Sequence, residues 1–164
     1  SPGPSTKYSM FNAKPETLTT SRAYREPFVN RRCVIPASGY YEWKKEGDLK
    51  LPFYIEPDEA PGFAFAGLWD RWRGEDQVID SCTIITAAAP DSMKFIHNRI
   101  PVHLTTEQAQ HWVSNVTPDA ELKEMLQPEI RTSICVTPVA TVVNNARNKD
   151  ERCVEPLGDS IRVH

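Results

Sequence analysis

The chain has 164 residues, 40% of them hydrophobic and 25% charged, a composition that excludes a disordered segment and is sufficient for one domain with a core of its own. A formal net charge of −3 excludes indiscriminate coating of nucleic acid, a mode that depends on neutralising many phosphates at once, and leaves room for a local basic groove. No apolar run approaches the length that spans a bilayer, and the opening SPGPSTKYSMF lacks the basic and apolar segments of a secretory leader, so an intracellular protein without membrane contact is expected.

The first polar island is FNAKPETL, residues 11–18. Asn12 carries a donor and an acceptor there, and Lys14 falls on the same face if the backbone is extended. An asparagine close to a proline is also an ordinary turn residue. Arg22, Arg25, Arg31 and Arg32 cluster ahead of the first clear strand, and acids dominate residues 107–129. Charge is therefore uneven along the chain, although each arginine also reads as part of a solvated face.

The middle of the chain reads as a β meander. Residues 33–37, 40–45, 52–56, 63–72 and 78–86 are rich in aromatic and β-branched residues, with turn signals between them at Ser38-Gly39, Glu46-Gly47-Asp48, Ala60-Pro61-Gly62 and Gly74-Glu75-Asp76. The segments that flank Gly39 are expected to pair as a hairpin. The period then changes: Ala109, Trp112, Val113 and Val116 recur at helical spacing behind a capping box of Thr105 and Gln108. A second helix is expected from Thr117, with Pro118 in its first turn and Leu122, Met125 and Leu126 on one stripe. Residues 130–136 return to strand character. The four cysteines, Cys33, Cys82, Cys135 and Cys153, are far apart and make no C-x-x-C pair. Neither a zinc site nor a redox pair is indicated, no cofactor is called for, and buried reduced thiols are expected. No repeat or low-complexity linker interrupts the chain, so the expectation is one α+β domain over residues 1–164, β-rich, with mostly antiparallel sheet and a few short helices.

Within GYYEW, residues 39–43, strand alternation sends Tyr41 and Trp43 to one face and Tyr40 and Glu42 to the other. A carboxylate beside aromatic surface loses hydration, and its pKa rises toward the range useful for proton transfer. The same face reads otherwise as simply solvated. In FIHNRIPVHL, residues 95–104, His97 and Arg99 sit among apolar residues ahead of a proline that keeps the preceding backbone extended. A histidine near neutrality, a glutamate of raised pKa and an arginine able to grip a phosphate with two bonds together suit chemistry on a nucleic acid sugar. A core histidine held by a backbone carbonyl is the other reading of His97. His103 and His111 lack that company and read as packing or surface residues. Tyr40, Tyr41 and Trp43 are candidates for stacking on bases and equally for the core.

Taken in order, FNAKPET, RRCVIPASGYYEWKK, AGLWDRW, TIITAAAP, FIHNRIPVHL and VVNNARN resemble the SRAP family, the SOS-response-associated peptidase domain, over residues 8–157. The most specific pieces are the G-[FY]-[YF]-E-W and I-H-x-R-x-P patterns. The resemblance implies a DNA-repair protein of the DNA damage response, whose partner is single-stranded DNA containing abasic sites. Such a protein shields the lesion in a covalent DNA-protein crosslink. A cysteine at the mature N-terminus attacks the ring-opened sugar aldehyde with its amine, and its thiol closes a thiazolidine on the resulting Schiff base. Self-processing peptidase activity and a DNA lyase activity are implied with it. Carried over by motif, the family's active-site asparagine is Asn12, its glutamate Glu42 and its histidine His97. Thr86 in TIITAAA is a further candidate to line the pocket. In this reading Glu42 orients and deprotonates the attacking amine, His97 moves a proton as the sugar ring opens and closes, and Asn12 holds nucleophile or sugar. Arg99 matches a phosphate-binding arginine and Arg22 is a further DNA contact. Lys14 stands where an arginine is common and lacks its two-pronged grip. A monomer is expected.

The family's M-C-G-R start is not among these residues, and the α-amine of Ser1 does not stand where the family's nucleophile does. Cys33, Cys82 and Cys135 fall in predicted strands and Cys153 follows VVNNARN, so a nucleophilic cysteine upstream in a longer protein is expected. Two readings stay open: a crosslinking enzyme with its nucleophile upstream, and a non-catalytic DNA-binding module of the same fold. A carboxylate-based hydrolase would need a second acid beside Glu42, and the sequence names none.

Overall fold

A computed structural model describes residues 12–164. Ser1, and the part of the SRAP resemblance that falls on residues 8–11, lie outside the described residues. In chain order the elements are β1 (Asn12–Ala13), α1 (Arg25–Asn30), β2 (Arg32–Ala37), β3 (Tyr40–Glu46), β4 (Leu49–Pro57), β5 (Phe63–Arg73), β6 (Val78–Ala88), β7 (Arg99–Pro101), α2 (Thr106–Val113), α3 (Asp119–Glu124), β8 (Ile134–Pro138) and β9 (Ile161–Val163). Short 3-10 turns lie at Pro15–Thr17, Asp91–Met93, Thr141–Asn144 and Glu151–Val154. The fold is α+β and β-rich. One sheet runs β1-β6-β5-β2 with β7 paired to β6, and the other runs β3-β4-β8-β9. The pairs β3–β4, β4–β8, β8–β9 and β5–β6 are antiparallel, whereas β1 runs parallel to β6. No helix among the described residues is long and apolar enough to cross a membrane.

The chain forms two compact units. The first takes the chain up to Ile35, Ala64–Ala87 and Pro101–Gln127. Its core gathers Phe28, Leu68, Ile85, Leu104, Trp112 and Leu126 around the sheet. Trp112 is fully buried, and its indole N–H donates to the carbonyls of Cys33 at 3.0 Å and Gly67 at 3.3 Å, which pins α2 to β2 and β5. Burial of that one ring is worth about 3–5 kcal/mol by the scale of Trp→Ala changes. The expected capping box is present: Thr105 Oγ accepts from the Gln108 amide, and the Gln108 side chain accepts from Thr105 N–H. The apolar stripe is shorter than its spacing suggests, because α2 ends at Val113 and leaves Val113 and Val116 48% and 89% exposed. The second helix begins at Asp119 rather than Thr117, with Pro118 extended at its N-cap.

Arg32 is a structural arginine. Its guanidinium donates to the carbonyls of Trp112 at 2.6 Å, Phe28 at 2.7 Å, Val29 at 2.8 Å and Ser114 at 2.7 Å, closing the C-terminal ends of α1 and α2. Arg31 pairs with Glu26 and Asp70 and lies over the Trp69 ring. These two members of the basic cluster therefore hold the first unit together and are not a solvated face.

The second unit takes Pro36–Phe63, Ala88–Ile100 and Pro128–His164. The hairpin expected across Gly39 does not form: β2 joins the first sheet and β3 the second, so the chain changes sheet at Ser38-Gly39. The true hairpin is β3–β4, paired from Tyr40↔Ile55 to Glu46↔Leu49 and turned at Gly47, whose φ of 59° favours glycine. Gly39 serves a close approach instead. A Cβ there would lie 2.4 Å from Tyr54 Cζ and 2.8 Å from the Ile55 carbonyl oxygen. The strand expected over residues 130–136 is β8, starting four residues later, and it lies between β4 and β9.

The expectation of buried thiols holds only for Cys153. Cys33 and Cys135 are half-buried and Cys82 is exposed. Cys82 lies opposite Trp69 on the β5–β6 pair, where both strands are exposed from Trp69 to Arg71 and from Asp80 to Cys82, so its apolar neighbours in sequence do not bring it cover.

Candidate active site

The site is built in the second unit. β3 is an edge strand of its sheet, and the cavity beside it is lined by residues 42–45, Lys50, residues 94–98 and Asn144. It is open to solvent, with a volume of about 900 Å³.

Alternation along β3 places the side chains as the sequence pattern requires. Tyr41 and Trp43 share one face, with ring centroids 6.3 Å apart, and Tyr54 of β4 lies 5.2 Å from Tyr41. Tyr40 packs on Phe63 at 5.8 Å, and its phenol is held well above the usual range by burial and, secondarily, by the charge of Glu42. Glu42 itself is half-buried, and burial raises its carboxyl above the usual carboxylate range. The Trp43 N–H, which donates to Glu42 Oε1 at 3.2 Å, and the nearby His97 pull the other way, and burial outweighs both.

His97 is exposed and stands at the end of a loop that the Ala89 N–H closes on the Asn98 carbonyl at 2.9 Å. Its Nδ1 lies 3.2 Å from both the backbone N–H and the carbonyl oxygen of Arg99. A neutral ring accepts the Arg99 N–H at Nδ1 and carries its proton on Nε2, and a charged ring donates from Nδ1 to the Arg99 carbonyl. Either protonation state thus has a partner without movement of the ring. Glu42 and His97 border the same cavity, and the charge of His97 acts on the Glu42 carboxyl. The two groups can exchange protons with a reactant held between them.

The opposite wall is set from a distance in sequence. The Trp43 indole N–H donates to Asn144 Oδ1 at 2.6 Å, and the Asn144 amide donates to the Lys50 carbonyl at 3.3 Å. Lys44, Lys45, Lys50 and Lys94 bring positive charge to the cavity.

The SRAP family, described as SOS response associated peptidase, matches residues 1–146 of the chain. The chain belongs to the SRAP family. Abasic site processing protein YoqW of Bacillus subtilis (strain 168) is 38% identical to this SRAP chain over 152 residues, which cover 90% of it and 67% of that relative. Abasic site processing protein YedK of Escherichia coli (strain K12) is 34% identical over 165 residues, covering 95% of the chain and 71% of the relative. A crystal structure of a protein from Bacteroides thetaiotaomicron matches the SRAP fold with a TM-score of 0.80 at 29% identity, over 88% of this chain and 65% of that one. The chain spans about two thirds of the length of the relatives it matches.

The remaining residues carried over from the SRAP motifs are positioned as follows. Arg99 opens β7, and its backbone serves His97. In the first unit, Asn12 is exposed on β1, which pairs Asn12↔Ile84 and Ala13↔Ile85, and its carbonyl accepts the Tyr24 hydroxyl at 3.4 Å. Thr86 is buried next to that strand, and its hydroxyl donates to the Ala13 carbonyl at 3.5 Å. Lys14 and Arg22 are exposed in the same unit. His103 is buried packing, and His111 is an exposed partner of Glu121. The sequence reading missed Lys45, Lys50 and Asn144. The adjacent lysines of WKK and the VVNNARN segment were visible signals, but only the strand register and the fold of the second unit bring them to one cavity.

Proposed function

We propose that this chain is the catalytic-support part of an SRAP protein that processes abasic sites in single-stranded DNA by forming a thiazolidine crosslink. The observation that carries the reading is the pairing of Glu42, its carboxyl raised by burial, with His97 across a lysine-bordered cavity beside an edge strand. The names of its relatives support the substrate. In this reading the nucleophile is the amine and thiol of a cysteine at the mature N-terminus, as the SRAP resemblance implies.

His97 gives a proton to the ring oxygen while the C1′ hydroxyl gives up its own to water, so that the C1′–ring-oxygen bond breaks and the sugar opens to its aldehyde. Glu42 takes a proton from the attacking amine and returns it to the hydroxyl that leaves as water, giving the Schiff base. The thiol then adds across the C=N bond, its proton passing to nitrogen, and the five-membered ring closes. Asn12 holds nucleophile or sugar by hydrogen bonds, Thr86 keeps β1 in register behind it, and Lys14, Arg22 and Arg99 contact phosphate. A lyase activity follows from the same Schiff base: it acidifies the C2′–H, a base removes that proton, and the 3′-phosphate leaves by β-elimination, which breaks the strand.

The test is intact-mass measurement of the full gene product after incubation with single-stranded DNA bearing one abasic site. A mass gain of one strand is expected, slowed about 10²–10⁴-fold by Glu42→Gln. The wild-type rate is expected to rise with pH through a midpoint above the usual carboxylate range, because the base acts ionised. Binding without any adduct would instead support a DNA-binding module without chemistry.

A further inference from the structure

Lys45 and Lys50 are direct cross-strand partners in the β3–β4 hairpin. Like charges in that position repel and weaken the pairing. The other two lysines of the cavity are compensated locally, Lys44 by Glu46 at 2.6 Å and Lys94 by Asp91 at 2.6 Å. Among the described residues, Lys45 and Lys50 have no carboxylate partner. The hairpin end that carries them is also held in place: Asn144 accepts the Trp43 indole N–H and donates to the Lys50 carbonyl. Two repelling ammonium groups on a fixed backbone, bordering an open cavity, form a cradle for a polyanion oxygen cluster. Trp43 and the 38% exposed Phe95 line the same cavity. Basic groups interleaved with aromatic surface along a groove suit a single strand of nucleic acid, whose phosphates meet the cations while its bases stack on the rings.

We propose that the β3–β4 hairpin carries a phosphate-binding site, in which Lys45 and Lys50 together hold one backbone phosphate of the strand whose lesion occupies the Glu42–His97 cavity. The site deepens the reading under Proposed function and rests on it for the identity of the strand. It is separate from Lys14, Arg22 and Arg99, and it fixes where the backbone leaves the reacting sugar.

The experiment measures binding of the full gene product to two single-stranded oligonucleotides, one undamaged and one with an abasic site, between 50 and 200 mM salt (about 0.05–0.2 M, where counterion release is read). Lys45→Gln, Lys50→Gln and the double variant are compared with wild type and with Lys123→Gln, which removes an exposed lysine from α3. The double variant is expected to flatten the slope of log K against log salt by about 0.7 or more on both strands, and to melt at or above the wild-type temperature since a repulsion has gone. Lys123→Gln is expected to keep the wild-type slope. An unchanged slope in the double variant, or an equal flattening by Lys123→Gln, would overturn the site. The covalent reading is scored separately on the abasic strand: if no adduct forms with wild type while the double variant still flattens the slope, crosslinking fails and the phosphate site stands.

Discussion

A raised carboxyl pKa is a statement about stability as well as about chemistry. Glu42 binds its proton more tightly in the folded protein than in the unfolded chain. Its contribution to stability is therefore fully present below the unfolded value of about 4.3 and is lost as pH rises through the folded value, where the ionised group stays desolvated. Glu42→Gln removes the charge and keeps the shape. The variant is expected to melt above wild type at pH 7–8, by about 2–4 °C for each kcal/mol of desolvation relieved, with the difference closing below about pH 4. Thermal denaturation across that pH range checks it, and a variant less stable than wild type at pH 7 would mean that the ionised carboxylate is well solvated. A carboxyl held above its usual range by burial at the rim of a cavity is a candidate for proton transfer.

At the scale of elements, the site depends on how β3 enters its sheet. Gly39 and Gly47 bracket that strand for different reasons. At Gly47 an added Cβ meets nothing within 4 Å, so Gly47→Ala carries only the left-handed backbone penalty of about 1–2 kcal/mol. At Gly39 the same Cβ runs into the Tyr54 ring at 2.4 Å and the Ile55 carbonyl oxygen at 2.8 Å. Backbone cannot yield cheaply there, and the pairing Tyr40↔Ile55 that starts β3 has to shift. Gly39→Ala is thus expected to lower the melting temperature more than Gly47→Ala and to slow adduct formation. Gly47→Ala, in the turn five residues beyond Glu42, is expected to retain the wild-type rate. Denaturation and adduct kinetics on the two variants separate these outcomes.

For the whole molecule, each unit is drawn from three stretches of chain, and β4 of the second sheet waits for β8, about eighty residues later, to cover its other edge. A chain ended at Gln127 keeps the stretches of the first unit and removes β8, β9 and Asn144. Hydrogen exchange is expected to show the β4 amides unprotected while β5 and β6 keep their protection; loss of protection in both would mean that the first unit does not hold its structure alone. The sequence by itself determined the face of β3 that carries Glu42, the capped start of α2 and the SRAP membership, and it named Glu42 and His97, which the fold brings to one cavity. These follow from alternation, from a local capping pattern and from motifs a few residues long, all of which act within one element. The tertiary structure alone decided that Gly39 marks a change of sheet rather than a hairpin, that Arg32 closes two helices, that Cys82 faces solvent, and that Lys45, Lys50 and Asn144 meet at one cavity. Strand pairing joins residues far apart in sequence, and a nine-residue β4 offers β3 a longer partner than the six-residue β2 does. No local pattern records that competition, because its outcome depends on which strands the rest of the chain brings alongside.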